Sequence, residues 1–406
     1  MRSFFLKFRY VWKLASLLFF TLITFAYAMF QGGFVSWFLF YSFLPISCYS
    51  LLIALYPIRS FQVTRSINQE QFSVGDPLIG RITIKRSVPF PLFYLIVEDV
   101  LPEKLSGQRR MKEPKKLLFP WFKKTITMQY ELGRMPRGEH RFTQVRVRTG
   151  DLFGLIDKEM TFAAENYFLV YPHTVDLKYR QNEKQFEQGA INSKAKFWQD
   201  TTMAIGIREY QPGDRFSWID WKATARRDRI MTKEFEQMQS HDVVVIMDRV
   251  KSAVFEEIVT FSASLARAII KSGAKIGFVS AGREKTVFSL QETEQHLQQI
   301  FYHLAKAECD SERSFADIAE SELPVWQSKN VTPLLVTGSL SLDLVRKLEL
   351  MGSRNLSMIV FLVKGKSEKI SSEEKVMMDR LMKRRIMTKA VNSGSFEDAF
   401  KEVSML

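Results

Sequence analysis

The sequence predicts an α/β protein: two N-terminal transmembrane helices, a β-sandwich-like segment, and a doubly wound parallel sheet. Three patterns predict it. Apolar runs from Leu14 to Phe30 and from Phe34 to Tyr56 each have the length a helix needs to cross a bilayer. Between Phe61 and Pro172, short runs alternate apolar and polar residues with period two, the pattern of strands with one buried and one wet face. Beyond Val243, apolar strand-like runs alternate with amphipathic helical stretches, an order that builds a parallel sheet covered on both faces. The expected boundaries are 1–60 for the hairpin, 61–175 for the β-rich domain, 176–205 for a connector and 206–406 for the α/β domain, which opens with a charged segment at 206–240.

Gln31-Gly32-Gly33 leaves room only for a tight turn, so the two apolar helices pair as a hairpin. Arg2, Lys7, Arg9 and Lys13 precede the first helix, Arg59 and Arg65 follow the second, and the turn carries no charge. By the positive-inside rule both chain termini face the cytoplasm, at the cell membrane. Tyr10, Trp12, Trp37 and Tyr56 fall near the expected interfaces, where amphipathic rings settle. Ala26-Tyr27-Ala28 has the form of a signal-peptide cleavage site, but a second full-length apolar span follows at once, and export is not expected. Of the two cysteines, Cys48 lies inside an apolar run and Cys309 follows a helical stretch, so no disulfide is expected and the compartment reads as reducing.

Pro57 closes the hairpin. Ile82 and Ile84, Ile126 and Met128, and Val145 and Val147 then mark half-buried strands, punctuated by turns at Gly75-Asp76-Pro77, Pro89-Phe90-Pro91, Gly133, Gly138 and Gly150-Asp151. A small β-sandwich or open barrel follows from this, with no catalytic set of its own. His140, beside Arg141, has no nucleophile or metal partner at motif spacing and reads as a surface residue. The run from Lys178 to Lys196 is polar and reads as the connector.

The stretch from Gly206 to Asp248 concentrates chemistry-bearing residues. Arg208, Asp214, Arg215, Asp220, Arg226, Arg227, Asp228 and Arg229 stand among Tyr210, Trp218 and Trp221, and the apolar run Val243 to Met247 ends in Asp248. Arg208, Tyr210, Pro212-Gly213-Asp214, Ile219-Asp220-Trp221, Ala225-Arg226, Lys233 and Glu234 together resemble the signature of the bacterial family catalogued as domain of unknown function 58. Arg137-Gly138-Glu139-His140, Gly150-Asp151-Leu152-Phe153-Gly154-Leu155 and Val170-Tyr171-Pro172 are similar to that family's upstream landmarks. The resemblance implies a membrane-anchored protein with a von Willebrand factor type A-like domain, commonly found beside a MoxR-type AAA+ ATPase and a transglutaminase-like protein. It implies no known reaction.

The α/β domain is expected as a helix over Val254 to Lys271 capped by Gly273, strands at Ile276 to Ser280 and Thr286 to Leu290, and a helix over Glu292 to Ala307. A strand at Leu334 to Thr337, a helix over Leu340 to Met351, a strand at Met358 to Val363, a helix over Glu373 to Lys383 and a strand at Ile386 to Ala390 complete it. His296 and His303 lie seven apart on one helix face, not the three or four of a zinc pair, and read as ordinary surface histidines. No Walker A or G-x-G-x-x-G run appears.

A carboxylate at the end of the first strand lies where open α/β sheets place their ligand crevice. In metal-binding members of the fold that the resemblance implies, D-x-S-x-S at this point and a later Thr and Asp hold a divalent cation. Here the pentapeptide is Asp248-Arg249-Val250-Lys251-Ser252, and the later strand end reads Thr337-Gly338-Ser339. Asp248, Ser252 and Thr337 are therefore positions of a degenerate metal site: the middle hydroxyl is lost, two cations have entered the loop, and no metal or other cofactor is expected. In the charged cluster, Asp214 and Asp220 are expected to pair with arginines, with Trp218 and Trp221 packed over them, because acids so rich in neighbouring guanidiniums have depressed rather than poised pKa values.

The net charge of +14 is spread over several elements and interspersed with acids, which points to anionic membrane lipid rather than nucleic acid. A basic face at Arg226 to Arg229 would be the nucleic-acid alternative. The expected function is a non-enzymatic, cytoplasm-facing adaptor whose α/β domain binds another protein; the resemblance supplies a MoxR-type AAA+ ATPase as partner. The alternative is a hydrolase or transferase acting on an anionic envelope substrate through Asp214, Asp220 and Asp248.

Overall fold

The structure, a computed structural model, describes residues 2–102, 105, 114–177, 179, 204–211, 214, 216–235, 242–327, 331–352, 358–366 and 368–400. The chain divides into two compact units, Met1–Tyr171 and Pro172–Leu406.

The first unit opens with α1 (Arg2–Gln31) and α2 (Phe34–Leu55), turned at Gly32, whose φ of +60° suits glycine. Both are long and apolar enough to cross a membrane, and Thr21 Oγ1 on α1 meets Ser47 Oγ on α2 at 2.7 Å. Eight strands follow among the described residues: β1 (Gln62–Ile67), β2 (Gln71–Ser73), β3 (Leu78–Lys85), β4 (Leu95–Val100), β5 (Lys115–Leu118), β6 (Thr125–Leu132), β7 (Gly138–Gly150) and β8 (Asp157–Tyr171). They form two sheets, β1-β3-β6 and β2-β8-β7-β4-β5. Ile82, Ile84, Ile126 and Met128 of the first sheet share a core with Leu95, Val97, Val145 and Val147 of the second, so the alternation seen in the sequence faces one sheet against the other. This is the sandwich rather than the barrel.

Two features of this unit depart from expectation. His140 is buried, not superficial: its Nε2 lies 2.9 Å from the Pro136 carbonyl and its ring 5.3 Å from that of Phe168, because period-two alternation along β7 turns it inward with Phe142. Arg65, read only as a topogenic charge, lies in the sandwich with its side chain fully buried against Asp99. Tyr130 donates to the same carboxylate, and Gly80 leaves the room for it: a Cβ there would stand 2.2 Å from the Tyr130 ring.

The second unit carries an antiparallel pair, β9 (Ala204–Glu209) with β10 (Met231–Phe235), enclosing the short helix α3 (Trp221–Arg227). A six-stranded sheet follows: β11 (Val243–Met247), β12 (Ile276–Ala281), β13 (Lys285–Gln291), β14 (Thr332–Thr337), β15 (Ile359–Lys364) and β16 (Met387–Asn392), in the order β13-β12-β11-β14-β15-β16. Val243, Val245 and Met247 pack with α4 (Phe255–Lys271) and α5 (Glu294–Lys306) on one face. Val244 and Ile246 pack with α6 (Phe315–Gln327), α7 (Leu342–Gly352) and α8 (Ser372–Lys383) on the other. Burial on both faces explains why β11 reads as an unbroken apolar run.

The expected elements recur with ends moved by a few residues. Gly273, at φ +79°, closes α4, and the Ala274 N–H returns to the Ile269 carbonyl. Three points differ. β13 runs antiparallel to β12, as a link of a few residues requires, while the other neighbouring pairs are parallel. α6 was not foreseen, since Pro324 and its acidic residues blur the helical period. The helix α5 turns both histidines toward the protein. His296 is buried, its Nε2 at 3.1 Å from the Ile276 carbonyl, and His303 is half-buried, edge-on to Phe288. The expected connector falls largely outside the described residues.

Candidate functional site

The charged signature folds as a self-contained hairpin and helix. Arg208, on β9, grips Asp214 with both nitrogens of its fork, Nη1 to Oδ2 at 2.8 Å and Nη2 to Oδ1 at 2.7 Å, and the Gln211 N–H donates to the same carboxylate at 2.9 Å. The Arg208 bonds first, then the Gln211 amide, hold the Asp214 carboxyl below its ordinary range. This is the expected carboxylate–arginine pair.

Asp220 does something else. It is the N-cap of α3, its Oδ1 accepting the Ala223 N–H at 3.0 Å, while its own N–H donates to the Met231 carbonyl at 2.9 Å. The Thr224 hydroxyl donates to the Asp220 carbonyl and accepts the Met231 N–H, which sews α3 to β10. Asp228 closes the helix in the left-handed region, at φ 57°, and Arg229 pairs with Glu209 across the hairpin at 2.8 Å. Asp220 and Asp228 therefore shape the backbone of the signature.

Trp221 is not packed over these carboxylates, as the sequence suggested. Because it stands first in a helix of about two turns whose buried neighbours are Ile219 and Met231, its ring is turned to solvent, 70% exposed. Phe216 is 76% exposed and stacks on Tyr210 at a centroid distance of 6.0 Å. Arg226, Ala225 and Lys233 are exposed as well. Pro212, Gly213 and Arg215 lie outside the described residues, as does the side chain of Glu234. The exposure of Phe216 was missed; its only signal is an aromatic residue without an apolar neighbour at strand or helix spacing.

At the sheet, β11 and β14 bring Asp248 and Thr337 together. Asp248 is 5% exposed; its Oδ2 accepts the Thr337 hydroxyl at 2.7 Å and its Oδ1 the Val250 N–H at 2.9 Å. Burial pushes the carboxyl up, and those two bonds oppose the rise. Ser252 lies beside Gly338, its Oγ 3.0 Å from where a Cβ would stand, and accepts the Val254 N–H at 3.3 Å. The three degenerate metal-site positions thus share one sheet edge. Both Asp248 oxygens already hold donors of the protein, and a cation would have to displace them. Among the described residues, no three His, Cys, Asp or Glu side chains gather as a metal would need.

Two cations of this edge, Arg249 and Lys364, are engaged elsewhere. Arg249 donates through Nε to the Glu308 carbonyl at 2.9 Å and through Nη2 to Asp310 at 2.7 Å, and Lys364, at the end of β15, is 2.6 Å from Glu374 and 3.3 Å from Glu368. Asp214, Asp220 and Asp248 each take different donors: Arg208 and the Gln211 amide, the Ala223 amide, and the Thr337 hydroxyl with the Val250 amide.

A model of the family described as "Protein of unknown function DUF58" matches residues 206–402. The "Uncharacterized protein YeaD" of Bacillus subtilis (strain 168) is 44% identical over 386 residues, which cover 95% of this chain and 96% of that protein. Among solved structures, the CARDB domain of a Pyrococcus furiosus protein aligns at 11% identity over 27% of this chain and 91% of its own, with a TM-score of 0.20. Spo0M, a sporulation control protein of Bacillus subtilis, aligns at 11% identity over 44% of this chain and 68% of its own, with a TM-score of 0.16. Scores this low carry no inference about fold or function.

Proposed function

Because the chain belongs to the family described as protein of unknown function DUF58, a family with no stated activity, we propose its role from its own surfaces: a membrane-anchored adaptor that holds a partner protein on the cytoplasmic side. α1 and α2 span the membrane as a hairpin with both termini in the cytoplasm; their length, and the cations that flank them, support this. The α/β unit is a doubly wound, von Willebrand type A-like domain. The strand order, the reversed edge strand β13 and the helices on both faces support that assignment.

One observation carries the adaptor role. The signature spends Asp214 on Arg208 and the Gln211 amide and Asp220 on its own backbone, and leaves Phe216, Trp221 and Arg226 to solvent on a short, hydrogen-bonded element. Aromatic and arginine side chains held this way are what hot spots of protein interfaces are made of. The partner it fits offers an apolar pocket for the rings beside carboxylates for Arg226. A MoxR-type AAA+ ATPase is the partner we assign.

The test is direct. The full chain in detergent is mixed with a purified MoxR-type ATPase, with ATP and without nucleotide, and its retention is measured. Burying the exposed part of Trp221, roughly 150 Å² at about 25 cal/mol per Å², is worth about 3–4 kcal/mol. Trp221→Ala should therefore weaken retention by roughly a hundredfold or more at unchanged folding stability. No retention of the ATPase in either nucleotide state refutes the partner; equal retention by Trp221→Ala and Phe216→Ala refutes the surface.

A further inference from the structure

Two loops of the sandwich present apolar side chains outward at one end of the first unit. The loop between β5 and β6 reads Phe119-Pro120-Trp121-Phe122-Lys123-Lys124, and the loop between β7 and β8 carries Leu152 and Phe153. Phe119, Trp121, Phe122, Leu152 and Phe153 are each more than half exposed, too much apolar surface in two neighbouring turns to be left to water without cause.

Both loops are tied to the apolar helices, the second directly and the first through the segment between β3 and β4. The Tyr49 hydroxyl donates to the Pro91 carbonyl at 3.1 Å, and the Tyr49 ring meets Phe93 edge-on at 4.7 Å, which in turn meets Trp121 at 5.4 Å. Ser50 Oγ donates to Asp151 Oδ2 at 3.1 Å, directly before Leu152 and Phe153. The Tyr56 hydroxyl donates to the Val88 carbonyl at 2.8 Å, and Lys13 Nζ on α1 to the Gly154 carbonyl at 3.1 Å. Ser50 stands five residues before the end of α2, hence ~8 Å along its axis from Leu55. A collar tied there sits at the depth where a spanning helix leaves the hydrocarbon.

The loops are also built to lose water. Arg86, buried, donates to the carbonyls of Lys123 and Phe90 at 2.6 Å each and to that of Trp121, so the backbone beneath the aromatic side chains is satisfied from inside. Asp151 does the same for the second loop, its Oδ1 accepting the Ile156 N–H at 2.8 Å and its own N–H donating to the Ile156 carbonyl at 3.1 Å. A polar backbone met internally is the condition for entering a membrane interface, and rings followed by two exposed lysines suit the boundary between acyl chains and anionic headgroups.

We propose that these loops are immersed in the headgroup region of the anionic leaflet around the exit of α2, so that the sandwich is keyed into the bilayer rather than carried on a free stalk. The ligand is the phospholipid interface itself: acyl carbons for Phe119, Phe122, Leu152 and Phe153, phosphate for Lys123 and Lys124. The proposal rests on α1 and α2 spanning the membrane, and its test separates the two.

Single-cysteine full-length chains are made on a Cys309→Ser background: native Cys48 alone, Cys48→Ser with Phe153→Cys, and Cys48→Ser with Glu131→Cys as a control on an exposed position at the opposite end of the sandwich. Each is labelled with bimane and placed in phosphatidylcholine–phosphatidylglycerol nanodiscs containing lipids brominated near the glycerol end of the acyl chain. The expected result is loss of fluorescence at positions 48 and 153 and none at 131. Quenching at 48 with none at 153 overturns the immersion alone, including the case in which a protein covers the loops. No quenching at 48 overturns the spanning hairpin and the immersion with it.

Discussion

Replacing Arg65 by methionine should cost the sandwich more than replacing Arg65 and Asp99 together. Both charged groups are fully buried, joined by Arg65 Nη2–Asp99 Oδ1 at 2.5 Å and Nε–Oδ2 at 2.9 Å. The guanidinium also donates to the carbonyls of Ala164 at 2.5 Å and Gln144 at 3.0 Å, so that one side chain on β1 ties together β4, β7 and β8. Burial raises the Asp99 carboxyl even with Arg65 and Tyr130 bonded to it. Arg65→Met strands that carboxylate and two carbonyls, a loss of about 3–5 kcal/mol. Arg65→Met with Asp99→Leu removes both charges and fills the space, but still leaves the Ala164 and Gln144 carbonyls and the Tyr130 hydroxyl without these partners, so it should recover only about 1–2 kcal/mol of that loss.

The single variant should also acquire a pH signature. With its cation gone, the folded Asp99 pKa rises further above the unfolded value, so the folded state binds the extra proton. Stability is then greatest below the ordinary carboxylate range and falls as pH rises through the elevated folded pKa. Native-state hydrogen exchange of β4 and β7 amides in the detergent-solubilised full chain reads this locally, apart from the second unit. The reasoning fails if the single variant costs less than about 1 kcal/mol, or if the double variant costs the sum of the two singles.

Asp248→Asn can keep the Val250 N–H bond, and Thr337, already bonded to the Ser339 carbonyl at 3.0 Å, can accept from the new amide, so the pH-independent change should stay within about 1 kcal/mol. Because burial raises the Asp248 pKa, the parent loses stability as pH rises from the carboxylate range; the variant should be the more stable at neutral pH, the gap closing on acidification, as Tm against pH will record. His303 shows the opposite sign: burial first, then the charge of Arg249, lowers it to about 4, and its Nε2 finds no hydrogen-bond partner among the described residues. The parent should lose stability as pH falls from about 6.5 toward that value, and His303→Leu should flatten the loss in an acid titration of unfolding. Gly80→Ala places a methyl 2.2 Å from the Tyr130 ring, drives Tyr130 off Asp99, and should cost about 3 kcal/mol in denaturant unfolding.

The α/β order was legible because parallel strands buried on both faces are written as plain apolar runs such as Val243 to Met247. The sandwich was legible from alternation, as at Ile82 and Ile84. Charge position was not. Arg65 sits in a strand flanked by polar residues, and nothing local tells an inward arginine from an outward one, since its partner Asp99 lies 34 residues away. Trp221 failed in the reverse direction: a large aromatic is assumed to pack, and its exposure follows from a helix too short to offer it a face. Asp214 with Arg208 was foreseeable because six residues and a turn join them, whereas the N-cap role of Asp220 required knowing where α3 begins.

The edge of the six-stranded sheet shows why its ionisable groups need not mark a ligand crevice. Arg249 leans away from Asp248 toward Glu308 and Asp310, and Gly282 supplies the space, since a Cβ there would stand 2.3 Å from Asp310 Oδ1 and 2.4 Å from the guanidinium carbon. Lys364 is matched by Glu374, the same residue whose carboxylate completes the capping box of α8 with Ser371. Thr337 joins β14 to β11 through Asp248. Thr337, Arg249 and Lys364 therefore tie strand ends of this edge to the next strand, to the loop before α6 and to α8. An edge clamped in this way fixes the sheet, whereas the segment from β9 to β10 keeps Phe216, Trp221 and Arg226 for solvent; on the adaptor reading we propose, recognition belongs where side chains are free to gain by burial.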